Sequence, residues 1–227
     1  MSTLTVELGE RSYPIHVISE LPGPLVATEV ARLRSSPAPV LVVTDDHVGP
    51  LYADGVCRAL EGRGYQPTCV TLPHGEATKR LEVVSSLLDD ALEASVSRQD
   101  LIVALGGGVV GDVAGFAASV LLRGVRFIQV PTTVLAQVDS AVGGKTGVNH
   151  ARGKNLIGAF WQPSSVVASH AVLETLPERE RRCGLAEALK HGLLGDADLV
   201  SWCLDNAEAL IALEQGPTQA LIERCCR

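Results

Sequence analysis

Three consecutive glycines, Gly106, Gly107 and Gly108, are the residues whose type and spacing most directly suggest chemistry. They follow an apolar strand predicted over 101–105 and precede a predicted helix that carries Asp112 in its first turn. Glycine lets a backbone approach a phosphate closely, and the free N–H groups at a helix N-terminus attract negative charge. A tight strand-to-helix turn would also use glycine, for purely steric reasons. The triplet alone therefore predicts either a dinucleotide site or a structural turn.

Two polar segments follow the glycines. A strand predicted over 126–130 ends in Pro131, Thr132 and Thr133, which places two hydroxyls at a carboxyl end, where open parallel sheets bind ligands. The glycine-rich run 137–155 comes next, and its length and mixed charge predict a functional loop. Its side chains that could bind a ligand are Asp139, Lys145, Lys154 and Asn155. A single lysine is usually solvated, so neither Lys145 nor Lys154 predicts a binding site by itself.

The elements that must position these residues alternate along the chain. Residues 3–8 and 13–18 predict a hairpin, and the strands that follow are predicted at 40–44, 68–72, 101–105, 126–130 and 165–168. Helices between them predict an α/β fold with a parallel sheet and right-handed crossovers. From residue 178 onward the pattern is helical, over 178–193, 197–213 and 218 to the end. We predict an α/β domain over 1–176 and the beginning of an all-α domain over 177–227.

Composition limits the function classes. The chain has 227 residues, of which 46% are hydrophobic and 4% aromatic, so we expect an aliphatic core. The formal charge of -7 argues against a nucleic-acid partner, because phosphate backbones require a basic face. No apolar run approaches the roughly 20 residues of a membrane span, and no signal segment is evident, so we expect a cytoplasmic protein. The six cysteines form no C-x-x-C pair and predict reduced, mostly buried thiols.

A dense series of motifs resembles one enzyme family. The segments are GGGVVGDVAGFAAS from Gly106, RGVRFIQVPTTVLAQVDSAVGGKTGVNH from Arg123, GKNLIGAFWQP from Gly153 and LPERERRCGLAEALKHG from Leu176. Together they are similar to 3-dehydroquinate synthase, a sugar phosphate cyclase and the second enzyme of the shikimate pathway. The resemblance runs nearly unbroken from about Val40 to Gly192 and identifies the α/β domain as Rossmann-like and NAD-binding.

The resemblance implies a lyase reaction. A linear seven-carbon sugar phosphate, 3-deoxy-D-arabino-heptulosonate 7-phosphate, is converted to 3-dehydroquinate and phosphate through transient oxidation of one hydroxyl by NAD. A divalent metal, zinc or cobalt, polarises that hydroxyl as a Lewis acid. The alternatives are another sugar phosphate cyclase, a metal-dependent polyol dehydrogenase of the same fold, and a truncated chain that binds NAD without turnover.

The family's site residues are carried over by position. The resemblance assigns cofactor contacts to Asp45, His47, Glu76, Lys79, Gly107, Gly108, Val109, Asp112, Thr132, Thr133, Lys154 and Thr175. It assigns substrate contacts to Asp139, Lys145, Asn155 and Lys190. Arg123 matches a residue that reaches the substrate phosphate of the neighbouring subunit, which implies a homodimer. Glu187 matches the family's carboxylate ligand to the metal.

Some positions allow a second interpretation. Asp45 or Asp46 could simply cap the next helix, and His47 stands where the family usually has asparagine. Without the resemblance, Glu76 and Lys79 would read as a solvated helix start. His191 follows Glu187 by four residues and would suit a metal by spacing. The family, however, usually has an aromatic residue there and takes its two histidine ligands from later helices.

No histidine of this chain matches those two ligands, which would lie after Arg227. We therefore expect a fragment or a natural truncation. Such a chain should bind NAD but be inactive alone, because Glu187 is its only recognised metal ligand.

Overall fold

The computed structural model describes residues 1–227, and its centre is a seven-stranded sheet. The strands are β1 (Ser2–Val6), β2 (Tyr13–Ile18), β3 (Pro39–Asp45), β4 (Gln66–Leu72), β5 (Leu101–Gly106), β6 (Arg126–Pro131) and β9 (Ser165–Ser169), in the order β1-β2-β9-β6-β5-β3-β4. β1 and β2 form the predicted antiparallel hairpin, and all other neighbours are parallel. The predicted α/β fold is confirmed.

Helices cover both faces of the sheet. They are α1 (Gly23–Leu33), α2 (Gly49–Glu61), α3 (Leu81–Glu93) and α4 (Gly108–Val120). Successive residues of a strand point to opposite faces, so Val40 and Val42 pack with α1 and α2, while Leu41 and Val43 pack with α3 and α4. Burial on both faces explains why β5 reads as a continuous apolar run. The core is largely aliphatic, as expected, with Tyr13 and Phe127 among its few aromatic side chains.

The parallel register places the carboxyl ends of four strands at one edge. Asp45 of β3 pairs with Leu72 of β4, and Gly106 of β5 pairs with Pro131 of β6. The N–H of Thr132 donates to the carbonyl of Gly106 at 3.0 Å. The polar segments that follow β3, β4, β5 and β6 therefore all leave the sheet at the same edge.

The prediction of a loop over 137–155 is wrong. Residues Ala136–Ser140 form a π-helix, and the run from Lys145 onward lies in the antiparallel hairpin of β7 (Lys145–His150) and β8 (Gly153–Phe160). The hairpin packs on α4 so closely that a Cβ on Gly115 would lie 2.5 Å from Thr146 Cγ2. Packing on α4 orders a segment whose polarity and glycine content resemble those of a loop.

Three smaller expectations also need correction. Asp112 is the fifth residue of α4 and so lies beyond its first turn. The helix predicted over 197–213 is broken at Asn206 into α6 (Ala197–Asp205) and α7 (Ala207–Ile211). The thiols are free, as predicted, but only Cys203 is buried, so mostly buried cysteines were the wrong expectation.

The C-terminal helices pack on the sheet through a shared core. α5 (Glu178–Gly195) and α8 (Gln215–Cys225) contribute Ala188 and Leu221 to a cluster that includes Tyr13 and Ile15 of β2. α5 begins directly after Pro177, where the sequence predicted the change to helical structure. None of the helices combines the length and the apolar composition that crossing a bilayer would require.

The buried carboxylate of Glu29 lies between α1 and the sheet, and it makes the stability of the fold sensitive to acid. Glu29 is 2.8 Å from Arg32 and 3.5 Å from His16. Burial alone would raise its pKa, but the hydrogen bonds from Arg32 and the nearby polar side chains of His16 and Ser165 outweigh burial and lower the pKa from 4.5 to about 2. The ionised form therefore stabilises the fold above pH 4.5, and this stabilisation is lost as the pH falls towards 2. The full contribution is about 3 kcal/mol.

Urea unfolding at pH 6 and pH 3 tests this prediction. We expect the stability advantage of the wild type over Glu29→Gln to shrink by about 2 kcal/mol between these pH values. An advantage independent of pH would contradict the role of Glu29.

Candidate functional site

A cleft of about 720 Å³ lies at the carboxyl edge of the sheet. It is lined by eleven of the twelve residues predicted to contact the cofactor: Asp45, His47, Glu76, Lys79, Gly107, Gly108, Val109, Asp112, Thr132, Thr133 and Thr175. These residues come from the ends of β3, β5 and β6 and from the segments that follow β4 and β9. The structure thus brings together side chains that are up to 130 positions apart (175 minus 45).

The glycine turn is at the centre of this cleft. α4 begins at Gly108 directly after Gly107, and the first N–H groups of any helix have no acceptor within the helix. A Cβ on Gly107 would lie 3.2 Å from Thr133 Cγ2, and one on Gly108 would lie 2.9 Å from Ser140 Oγ. The two glycines therefore leave space at a helix N-terminus, which is an arrangement that binds phosphate groups.

Two buried hydroxyls at the cleft have no hydrogen-bond partner. They belong to Thr132, which is 3% exposed, and to Ser140 of the π-helix. Unpaired buried polar atoms are rare in folded proteins and often mark a ligand site. Thr133 differs, because its Oγ1 accepts from the N–H of Ala136 at 3.1 Å and so also orders the next segment. The sequence did not single out Ser140, since nothing distinguishes it from other serines.

Lys79 is a buried cation at the floor of the cleft. It is 4% exposed, and its Nζ donates to Asp112 Oδ2 at 2.5 Å and to Asn155 Oδ1 at 2.5 Å. Burial is the largest influence on Asp112 and raises the pKa of this carboxyl, although Lys79 opposes the shift. The interpretation of Lys79 as part of a solvated helix start is wrong. Lys79 instead ties α4 to the hairpin.

Asn149 of β7 reinforces this connection and was missed by the sequence reasoning. Its N–H donates to the carbonyl of Lys79, its Nδ2 donates to Glu76 Oε1, and its Oδ1 accepts from the N–H of Asn155, each at 2.8 Å. The hydrogen bond from Asn149 is the main reason that the pKa of Glu76 is lowered. Asn155 has a left-handed φ of 56°, which this contact supports. No local signal in the sequence shows that Asn149 faces Glu76.

A second pocket of about 480 Å³ adjoins the cleft. It collects three residues predicted to bind substrate, Asp139, Lys145 and Asn155. Asp112, Ser140 and Asn155 line both spaces, so the pocket and the cleft are continuous. Lys145 is exposed and forms no ion pair. Its charge is therefore available to an anion in the pocket.

The remaining acidic and basic candidates lie beside the pocket on α5. Lys190 Nζ donates to Glu187 Oε1, and this hydrogen bond is the main reason that the pKa of Lys190 is raised. Asp139 belongs to a group with Glu187 and His191 in which one ligand atom from each residue lies within 4.8 Å of the others. Two further potential metal ligands, Asp139 and His191, therefore lie near Glu187, the predicted metal ligand.

Asp45 and His47 combine a structural role with a place in the cleft. Asp45 Oδ1 accepts from the N–H groups of His47 at 2.9 Å and Val48 at 2.8 Å, so the carboxylate orders the entry to α2 while lining the cleft. The His47 ring stacks on His74 with a centroid distance of 3.7 Å. His74 lines the same cleft, although it was not among the predicted site residues.

Four predicted residues line neither space: Glu187 and Lys190 on α5, and Lys154 and Arg123. Lys154 is 74% exposed at its side chain and pairs with Glu76 Oε1 at 3.4 Å. Arg123 is exposed in the turn after α4 with a φ of 68°. Within a single chain, neither residue reaches the cleft or the pocket. The role of Arg123 in a neighbouring subunit stays a prediction.

Two curated relatives align with the whole chain. The 3-dehydroquinate synthase of Desulforamulus reducens is 46% identical over 227 residues, which are 100% of this chain and 63% of that protein. The enzyme of the same name from Pseudomonas syringae pv. syringae is 47% identical over 226 residues, covering 100% of this chain and 60% of that protein. The chain thus spans about three fifths of the length of these relatives.

Solved structures share the fold. The 2-epi-5-epi-valiolone synthase from Streptomyces hygroscopicus subsp. jinggangensis, with NAD+ and Zn2+ bound, superposes with a TM-score of 0.85 at 29% identity over 97% of this chain and 61% of that chain. A 2-deoxy-scyllo-inosose synthase complexed with carbaglucose-6-phosphate, NAD+ and Co2+ gives 0.75 at 28% identity over 84% and 51%. An iron-containing alcohol dehydrogenase from Thermotoga maritima gives 0.73 at 15% identity over 94% and 66%, which indicates the fold alone.

Half of the chain matches the model of one protein family. Residues 69–183 match the family described as 3-dehydroquinate synthase N-terminal, and they include the glycine turn, the π-helix and the hairpin. The chain therefore belongs to the 3-dehydroquinate synthase family.

Proposed function

We propose that this chain is the NAD-binding part of a 3-dehydroquinate synthase and carries much of its substrate pocket. The proposed reaction converts 3-deoxy-D-arabino-heptulosonate 7-phosphate to 3-dehydroquinate and phosphate through transient NAD-dependent oxidation. The observation that carries the proposal is the continuity of the cleft with a pocket that contains Asp139, Lys145 and Asn155. A dinucleotide in the cleft can therefore meet a small anionic substrate in the pocket.

The cleft fits NAD, which would accept a hydride from the substrate and later return it. Gly107 and Gly108 leave room for the pyrophosphate at the N-terminus of α4. The free hydroxyl of Thr132 offers a hydrogen bond on the β6 side of the turn, and Asp45 and His47 line the β3 side. A dinucleotide across the sheet edge would thus span three neighbouring strands, as ligands of open α/β sheets do. The NAD+ bound to the related valiolone synthase supports this choice of cofactor.

The pocket fits a negatively charged, hydroxyl-rich substrate. Lys145 offers an unpaired ammonium group to a carboxylate or phosphate, and Asp139 can accept hydrogen bonds from hydroxyls. Asn155 is held by Lys79 on one side and lines the pocket on the other, so it couples substrate and cofactor spaces. These roles require that the hairpin keep its position on α4.

A divalent metal, zinc or cobalt, would supply a Lewis acid beside this pocket. Glu187 fits such an ion, because its carboxylate faces Asp139 at the pocket wall. The related cyclases with Zn2+ or Co2+ support a metal in this family fold.

The proposal also includes a domain boundary between residues 176 and 177, a homodimer and a cytoplasmic location.

The test is a hybrid enzyme. This chain is joined to the residues that follow the aligned segment in the Desulforamulus reducens synthase, and phosphate release from the heptulosonate phosphate is measured with NAD and zinc. We expect turnover by the hybrid and none by the 227 residues alone. A hybrid that folds and binds NAD without releasing phosphate would favour a non-catalytic NAD-binding chain.

Lys145→Ala in the hybrid is expected to reduce turnover at least about tenfold while NAD affinity stays nearly unchanged. The charge lost is an exposed one, so the effect should be smaller than for a buried partner of an anion. Arg58→Ala, which removes an exposed cation from α2, serves as the matched control. Equal turnover of the two variants would remove Lys145 from the site.

Asn149→Ala is expected to weaken NAD binding about tenfold. The variant loses the side-chain hydrogen bonds to Glu76 and Asn155, and two such bonds contribute about 1–3 kcal/mol. Calorimetric titration with NAD measures the effect. Asn206→Ala, which loses one hydrogen bond to Trp202 far from the cleft, is the control. An affinity equal to that of this control would show that Asn149 does not position the cleft.

A further inference from the structure

Two cysteines face each other on consecutive elements of the α/β domain. Cys57 is on α2 and Cys69 is on β4, and residues 58–68 connect them through the end of the helix, a turn and the start of the strand. Both thiols are free. Neither residue lines the cleft or the adjoining pocket, so the proposed function assigns no role to either of them.

The register of the sheet explains why the two side chains meet. Cys69 lies on the edge strand β4 and pairs with Val42 of β3. Val42 packs on the side of the sheet that α2 covers, and Cys57 packs against the same cluster. Successive residues of a strand point to opposite faces, and Val70 packs on the α3 side, so Cys69 points towards α2.

The two thiols change each other's ionisation in opposite directions. The neighbouring Cys57 thiol is the largest influence on Cys69 and lowers its pKa from 9.0 to about 7. Thr71 contributes to the lowering, whereas burial and Asp54 oppose it. The Cys69 thiol is in turn the largest influence on Cys57, and together with burial it raises the pKa of Cys57. At pH 7 about half of Cys69 is therefore thiolate, while Cys57 keeps its proton.

Exposure completes the chemistry of the pair. Cys69 is exposed at the edge of the sheet, and Cys57 is half-buried behind it. A thiolate is the nucleophilic form of cysteine, and cysteines that sense oxidants combine a low pKa, solvent access and a second cysteine close by. Cys69 has all three features, and Cys57 is the second cysteine.

The C-terminal cysteines lack this combination. Burial raises the pKa of Cys225 and of Cys226 to about 12, and it also raises the pKa of Cys203. These three thiols are therefore poor nucleophiles at neutral pH. Cys183 of α5 is exposed and serves as the internal control for accessibility alone.

We propose that Cys57 and Cys69 form a reversible disulfide when the protein meets a hydroperoxide such as hydrogen peroxide. The Cys69 thiolate first attacks a peroxide oxygen: an S–O bond forms, the O–O bond breaks, and the departing hydroxide takes up a proton to become water. The Cys57 sulfur then attacks the Cys69 sulfur, so that the S–S bond forms, the S–O bond breaks, and the hydroxide leaves as water with the Cys57 proton. The two sulfurs lose two electrons, which reduce the peroxide to water. A thiol reductant reverses the bond by exchange.

The disulfide would connect two elements that lead into the cofactor cleft. His47 precedes α2 by two residues and His74 follows β4 by two residues, and their rings stack at the cleft. Leu51 and Tyr52 of α2 also line this space. Oxidation would therefore fix α2 to the edge strand beside the cleft without using a residue of the cleft itself.

The experiment treats the reduced 227-residue chain with equimolar hydrogen peroxide at pH 7, alkylates the remaining thiols and maps the digested protein by mass spectrometry. We expect a cross-linked pair of peptides that contains Cys57 and Cys69, with a mass lower by two hydrogens, and full reversal by dithiothreitol. Cys183→Ser should form the same disulfide. Cys57→Ser should instead leave Cys69 as a sulfenic acid that dimedone labels, and Cys69→Ser should consume peroxide at least about tenfold more slowly.

Circular dichroism and NAD titration of the reduced serine variants check the fold, and both should match the wild type. Oxidation of Cys183 before Cys69, or a Cys69 sulfenic acid in the wild type that never bonds to Cys57, would overturn the proposal. Absence of dimedone labelling in Cys57→Ser would also contradict it. The inference is independent of the proposed reaction, because a hybrid that releases no phosphate leaves the disulfide in place.

Discussion

Replacing Gly107 with valine is expected to abolish NAD binding, with a loss of more than about a hundredfold in affinity. The new Cβ would lie 3.2 Å from Thr133 Cγ2, and its two methyl groups would occupy space at the N-terminus of α4. A pyrophosphate cannot approach the helix N–H groups through a side chain, so the favourable interaction of anion and helix terminus is lost. Calorimetric titration of the chain with NAD measures the loss.

Gly55→Val is the matched control for this change. Gly55 lies in α2, and a Cβ there would meet no atom within 4 Å. Both variants should keep the circular dichroism spectrum of the wild type, while only Gly107→Val should lose NAD. Equal NAD affinity in the two variants would mean that the cofactor lies elsewhere.

Lys79→Met is expected to destabilise the fold and to weaken NAD binding together. Lys79 is the partner of a carboxylate that burial already makes harder to ionise, and removing one member of a buried pair costs about 3–5 kcal/mol. For stability alone, Lys154→Met is the control, because that lysine forms an exposed pair with Glu76 that contributes at most about 1 kcal/mol. Urea unfolding measures the stability of both variants, and calorimetric titration measures their affinity for NAD.

A double variant separates structure from binding. Adding Asp112→Asn to Lys79→Met removes the unpaired charge and should recover part of the lost stability, but NAD affinity should stay low because the cation at the floor of the cleft is gone. Stability in Lys79→Met equal to that in Lys154→Met would contradict the buried pair. Full recovery of NAD affinity in the double variant would show that Lys79 acts on the fold alone.

The sheet and the glycine turn were predictable because they depend on local patterns. Apolar strands alternating with helices predict a parallel sheet, and parallel strands end at one edge. This rule placed Thr132 at a ligand-binding strand end, the resemblance assigned Asp45, Gly107 and Thr132 to the cofactor, and the cleft contains all three. The boundaries of the predicted strands differ from the observed ones by at most two residues, which changes no feature of the site.

Features that depend on tertiary packing could not be predicted. Lys79 and Asn149 follow no buried pattern in the sequence, and their roles arise only when the hairpin of β7 and β8 packs on α4. The same packing ordered the run over 137–155, whose glycines and charges are typical of a loop. His191 was discounted because of the family resemblance, although its spacing from Glu187 agreed with the geometry that the structure shows.

The most direct test of the central claim is the choice of substrate by the hybrid enzyme. Phosphate release is compared for 3-deoxy-D-arabino-heptulosonate 7-phosphate and for glucose 6-phosphate, a hexose phosphate resembling the carbaglucose-6-phosphate bound by the related inosose synthase. We expect release from the heptulosonate phosphate alone, with 3-dehydroquinate as the product and with dependence on Lys145. Release from glucose 6-phosphate, or a different product from the heptulosonate phosphate, would contradict the assignment and indicate another sugar phosphate cyclase.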